Sequence, residues 1–111
     1  MDWEVKPGKN STVLACRGRG DQQAAGEFKA KASELISAGK ARLVLDLTGV
    51  EYMASAFLGS LIMALRQARS AGGDILLACP NEHILALFEM VNFDKNFSIH
   101  KSVDEADSSF R

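Results

Sequence analysis

Leu43-Val44-Leu45-Asp46-Leu47 is a short, nearly unbroken apolar run near the middle of the chain. It is too short for a helix and too apolar for a strand with one face in water, which places it in a sheet centre covered on both sides. Ile75-Leu76-Leu77-Ala78-Cys79 repeats the pattern. Between the two runs, Leu58, Leu61, Ile62, Leu65 and Ala68 recur at helical spacing, with Arg66, Gln67 and Arg69 on the opposite side. Two buried strands joined by an amphipathic helix require a crossover, so the strands are expected to be parallel.

Toward the N-terminus, Val13-Leu14-Ala15-Cys16 reads as another buried strand, ended by a turn at Gly18-Arg19-Gly20, with Trp3 and Val5 on an edge strand before it. From Asp21 the period becomes helical through Phe28, Ala32, Leu35 and Ile36, and Gly39 is placed to stop the helix. Toward the C-terminus, Thr48-Gly49 reads as a turn after the central strand, and Gly72-Gly73 closes the second helix. Pro80-Asn81 opens a third helix with the stripe Ile84, Leu87, Phe88 and Val91. Phe97-Ser98-Ile99 reads as a last strand, and Ser102 as the cap of a terminal helix reaching toward Phe110. The expected architecture is one α/β domain over residues 1–111, with a mostly parallel central sheet of four to five strands flanked by about four helices.

A chain of 111 residues fits one ordinary domain of roughly 100–150 residues, and halving it would leave two cores too small to hold. Thirteen Lys+Arg against fourteen Asp+Glu leave a net charge of −1, too balanced for the basic field that drives nucleic-acid or anionic-membrane binding. The start Met1-Asp2-Trp3-Glu4-Val5-Lys6-Pro7 lacks the basic and apolar regions of a signal peptide, so a cytoplasmic protein is expected. No apolar run approaches the ~20 residues that span a bilayer. Cys16 and Cys79 stand apart in strand-like segments and read as buried, reduced thiols. The Asn10-Ser11-Thr12 sequon and the Arg19-Gly20-Asp21 tripeptide carry meaning only outside the cell.

In an open α/β sheet, ligands and partners meet the chain beyond the carboxyl ends of the strands. Here that is residues 50–59. Ser55 lies at or just before the start of the second helix, where unpaired N–H groups and the positive end of the helix dipole favour a phosphate. The simpler reading is a helix N-cap worth about 1 kcal/mol. A small α/β serine hydrolase is a remote alternative. Its nucleophile elbow has Gly two residues to either side of the Ser, where this chain has Met53 and Phe57, and only His83 and His100 are available as a base. Asp46 has no acidic neighbour to make a magnesium site, and neither dinucleotide nor phosphate-loop glycine spacing occurs. No metal and no cofactor is expected.

The order of elements, Gly-x-x-Asp before the first helix, an aromatic-Met-x-Ser segment opening the second, a Gly-Gly turn and a Leu-Phe third helix together resemble the STAS domain. More narrowly, the chain resembles bacterial anti-sigma-factor antagonists from about Val13 to Phe97. The sharpest segment has the family form Phe-Met-Asp-Ser-Ser-Gly-Leu-Gly, and here reads Tyr52-Met53-Ala54-Ser55-Ala56-Phe57-Leu58-Gly59. Ser55 falls on the family's phosphorylated serine, Leu58 and Gly59 match the following helix turn, and Asp21 matches the aspartate opening the first helix. Ala54, Ala56 and Phe57 depart from the family form.

The resemblance implies a non-catalytic phospho-switch protein. Unphosphorylated, it would bind an anti-sigma factor that is also a serine protein kinase, phosphorylation of Ser55 would release it, and a PP2C-type phosphatase would restore it. The surface implied for the partner comprises Asp21, Met53, Ala54, Ser55, Ala56, Phe57 and Leu58. The added apolar surface of Phe57 is expected to serve binding more than stability. The alternative within the family is an unphosphorylated subunit of a larger assembly, stressosome-like or transporter-associated. A monomer or weak dimer is expected.

Overall fold

β3 (Arg42–Met53) lies in the middle of a five-stranded sheet of order β1-β2-β3-β4-β5. A computed structural model describes residues 1–110. The other elements are β1 (Asp2–Pro7), β2 (Thr12–Gly20), α1 (Gln22–Ser37), α2 (Ser55–Ser70), β4 (Asp74–Ala78), α3 (Glu82–Met90), β5 (Ile99–His100) and α4 (Val103–Ser109), with a 3-10 turn Phe93–Lys95 before β5. β1 is antiparallel to β2, and every other pairing is parallel. The chain is a single α/β domain with a mostly parallel sheet and four helices, as the two apolar runs require.

Both faces of the sheet are covered. Leu14, Leu43, Leu45, Ile75 and Leu77 pack under α1, α2 and α3 with Phe28, Phe57, Leu61 and Phe88. Val13, Val44, Leu76 and Ala78 form a smaller cluster on the opposite face, closed by Ala106 of α4. This is why residues 43–47 are apolar almost without alternation.

Two expected turns are absent. Residues 18–20 and 48–49 belong to β2 and β3, which stay paired to Gly20↔Met53. The pairing shifts twice: Ala15↔Asp46 gives way to Arg17↔Gly49, and Gly18↔Val50 to Arg19↔Tyr52. Each shift places one extra residue on β3. Inward positions therefore move from Leu43, Leu45 and Leu47 to Val50 and Met53, a bulge-like irregularity that mimics the end of a strand when read as a period of two. Cys79 also departs from expectation: it follows β4 with φ +60 and is half-buried. Val91 is exposed, and Phe97 is buried ahead of β5.

The helix boundaries are set locally. Asp21 accepts a hydrogen bond from the Ala24 amide at 2.9 Å, Asn81 from Ile84 at 2.8 Å and Ser102 from Glu105 at 3.0 Å, so three of the four helices have side-chain caps. Gly39, at φ +85, lets the Lys40 amide turn back to Leu35 O at 2.9 Å and ends α1.

α4 is held to the β1–β2 hairpin by Asp107. Its carboxylate accepts from the Ser11 hydroxyl and from the Asn10 amide at 3.1 Å, and its backbone carbonyl accepts from Asn10 Nδ2 at 3.2 Å. The Ser11 hydrogen bond chiefly holds the carboxyl below the ordinary value of 3.8, against the opposing effect of burial. A lowered folded-state pKa means the charged form is favoured on folding, so the contribution is present above the unfolded value and lost as pH falls through the folded one. Asp107→Asn is expected to lower stability near neutrality. The gap to wild type, read from urea melts, should close as pH falls below the ordinary carboxylate value and through the lowered folded one. A gap independent of pH would assign the loss to packing.

Candidate functional site

β2 and β3 end side by side, at Gly20 and Met53. The Ala54 amide donates to Gly20 O at 2.7 Å, which carries the pairing one residue past the strands. α1 starts immediately after Gly20 with Asp21 as its cap, and α2 starts immediately after Ala54. Asp21 and Ser55 are therefore brought to the same end of the sheet, each at a helix start and each exposed. A Cβ on Gly20 would sit 2.9 Å from Tyr52 O and 3.2 Å from the Phe57 ring, so only glycine permits this closure.

Ser55 is the first helical residue and not the N-cap. Ala54 occupies the cap position in extended geometry (ψ 162) and gives α2 no side-chain cap. The simple capping role for Ser55 is thereby removed. Its hydroxyl projects from an exposed residue at the end of a helix whose first amides have no side-chain acceptor. Ala56 is exposed as well, and Ala54 is half-buried.

Phe57 corrects the expectation of an apolar binding residue. Its relative exposure is 0%. The ring centroid lies 5.7 Å from Phe28 and 6.5 Å from Trp3, and Trp3 stacks on Phe28 at 6.1 Å. Burying an aromatic ring of this size is worth more than exposing it, and Gly20 leaves the space for it. Met53 at 5% and Leu58 at 9% are buried too. Of the seven residues expected to meet a partner, Asp21, Ser55 and Ala56 present exposed surface, Ala54 presents part, and Met53, Phe57 and Leu58 support from beneath. The trio is fixed at its rim by the Trp3 indole N–H, which donates to Glu27 Oε1 at 2.8 Å and holds that carboxyl below its usual range.

Other serines and thiols near this end of the sheet are less available. Ser60 is 2% exposed and donates to Phe57 O at 2.6 Å. Burial, with Asp46 adding to it, pushes the Cys16 thiol up to about 12. His100 lies on β5 with Nδ1 3.2 Å from Glu105 Oε1, two strands from β3, and His83 is exposed in the first turn of α3. The sequence gives no warning of one further pair: Arg19 and Tyr52 face each other across the shifted register, with the guanidinium carbon 4.5 Å from the ring centroid. Pairing across two parallel strands with added residues is invisible to local periodicity.

The surface around Ser55 is an exposed helix start. A groove of about 660 Å³ runs elsewhere, between Lys6, Val13, Asp46, Val103 and Asp107. Among the described residues, no group of three or more His, Cys, Asp or Glu is assembled as a metal site, and no helix is long and apolar enough to cross a membrane.

Residues 3–101 match the profile of the family described as "Mlab, STAS domain", and the chain belongs to this STAS-domain family. BtrV of Bordetella bronchiseptica, whose name assigns it as an anti-sigma factor antagonist, is 27% identical over 100 residues, 89% of this chain and 86% of that one. The crystal structure of a Thermotoga maritima protein with the same kind of assignment superposes with TM-score 0.86 at 25% identity, covering 98% of this chain and 94% of that one. The Bacillus cell fate determinant SpoIIAA in its phosphorylated form shares the fold at 18% identity and TM-score 0.76, over 99% of this chain and 100% of that one.

The burial of Phe57 generates a direct expectation. Phe57→Ala should destabilise the domain by roughly 3–5 kcal/mol, the cost of a large buried ring, in urea denaturation followed by Trp3 fluorescence. A loss below about 1 kcal/mol would return the ring to the surface.

Proposed function

We propose that this chain is a non-catalytic phospho-switch protein of the anti-sigma factor antagonist type, acting in the cytoplasm, which binds an anti-sigma factor/serine kinase through the face around Asp21 and Ser55. The observation that carries the proposal is Ser55 itself: an exposed hydroxyl at the first position of α2, on a helix start without a side-chain cap. The names of BtrV and of the Thermotoga relative support the partner class.

The switching physics is local. A phosphoryl group on Ser55 adds about −1.5 to −2 charges and three acceptor oxygens. At a helix start the domain tolerates that charge, since the first amides and the dipole favour it. A partner that must desolvate the same face does not, because burying an unpaired charge costs several kcal/mol. Binding is lost while the fold is kept. A PP2C-type phosphatase would restore the binding form.

The fixed-subunit reading keeps one specific support, the alanines at 54 and 56 where the antagonist form has Asp and Ser. The serine hydrolase reading is weakened by the engagement of His100 with Glu105.

Incubation with ATP and an anti-sigma-type serine kinase from the same genome should add one phosphate by intact mass, mapped to Ser55. Ser55→Ala should keep kinase affinity and take up none. Phosphorylated protein should bind at least about tenfold more weakly by calorimetry, a difference of about 1.4 kcal/mol; Ser55→Asp should shift affinity the same way but less, having less charge than phosphate. Equal affinity of the two forms, or phosphate at another residue, would leave the fixed-subunit reading in its place.

A further inference from the structure

We infer that the stacked pair Arg19–Tyr52 is the anchor of the docking face and that it receives a carboxylate from the partner protein. The inference rests on the binding face proposed above and adds the chemistry of what that face recognises.

Tyr52 is a large side chain at 39% exposure, one of the few apolar bodies the described surface shows. Arg19, also exposed, lies over its ring at 4.5 Å. The pair exists because of the second register shift, which seats Tyr52 opposite Arg19 where regular pairing would have offered Glu51. Irregularities of this kind commonly re-aim a side chain beside a functional site. Arg19 directly precedes Gly20, whose carbonyl accepts the Ala54 amide, so the pair lies within three residues of both Asp21 and Ser55 along the chain.

Three properties make the pair an anchor. Tyr and Arg are the residue types in which binding energy concentrates at protein interfaces. The contact with the ring restrains the Arg19 side chain, which lowers the entropy lost on docking. The cation is also unspent: among the described residues the ion pairs are Lys6–Glu4, Arg69–Asp74 and His100–Glu105, and Arg19 belongs to none. A planar five-donor fork held over a ring matches a carboxylate in two parallel hydrogen bonds.

The test uses full-length chain and the same kinase-type partner in titration calorimetry at two salt concentrations. Arg19→Ala should weaken binding at least about tenfold and flatten its salt dependence, Arg19→Lys should restore only part, and Arg19→Glu should bind more weakly than Arg19→Ala. Tyr52→Phe should keep most of the affinity and Tyr52→Ala should lose it, because the ring and not the hydroxyl holds the guanidinium. Urea melts accompany each variant, and affinity is taken per folded molecule. If wild type binds and Arg19→Ala binds equally well, the anchor is overturned while the phospho-switch stands. Failure of wild type to bind the kinase at all would overturn both.

Discussion

Everything at the working end of this molecule depends on the Phe57 ring lying against the backbone of Gly20. The ring fills the space a side chain at position 20 would occupy, and in doing so seats the first turn of α2 against the end of β2. With Phe28 and Trp3 it joins β1, α1 and α2 through one aromatic cluster. Interiors packed at crystal-like density have little room to adjust. The helix start, and with it the direction of Ser55, is set by this packing and by the Ala54–Gly20 hydrogen bond.

Such a support suits the charge-driven switch proposed above. The residues beneath the face, Met53, Phe57 and Leu58, are buried, while those upon it are small or polar: Ala54, Ser55, Ala56 and Asp21. In the proposed switch, a phosphoryl group added to this face would meet small or polar neighbours, so its cost would fall on the complex and not on the fold. The departures from the antagonist form have a shared logic. Alanines at 54 and 56 reduce the polar character of the rim, and Phe57 turns a flexible position into part of the core.

The rest of the sheet is a platform for that end. α1, α2 and α3 cover one face and the short α4 closes part of the other, where Val13, Val44, Leu76 and Ala78 would otherwise meet water. α4 has only seven residues, below the length at which a helix holds itself in water. Its place is secured by Ala106 in the cluster, by the Ser102 cap and by Asp107 on the hairpin.

Much of this was legible in the linear chain. The unbroken apolar runs at 43–47 and 75–79 announced central strands because burial on both faces removes alternation, and Asp21, Asn81, Ser102 and Gly39 marked helix ends because a cap is chosen by chemistry within three residues. Ser55 was marked by its neighbours in sequence. What stayed hidden depends on partners distant in the chain. The continuation of β3 through Thr48 and Gly49, the stacking of Arg19 on Tyr52 and the burial of Phe57 all follow from how β3 pairs with β2 and from the absence of a side chain at Gly20. Which segments are strands, which are helices and where most helices begin could be read along the chain, since periodicity and capping are local. Which side chains of the 52–58 segment are exposed and which enter the core was settled by packing between distant segments, because that depends on two residues added to one strand and a space left open on another.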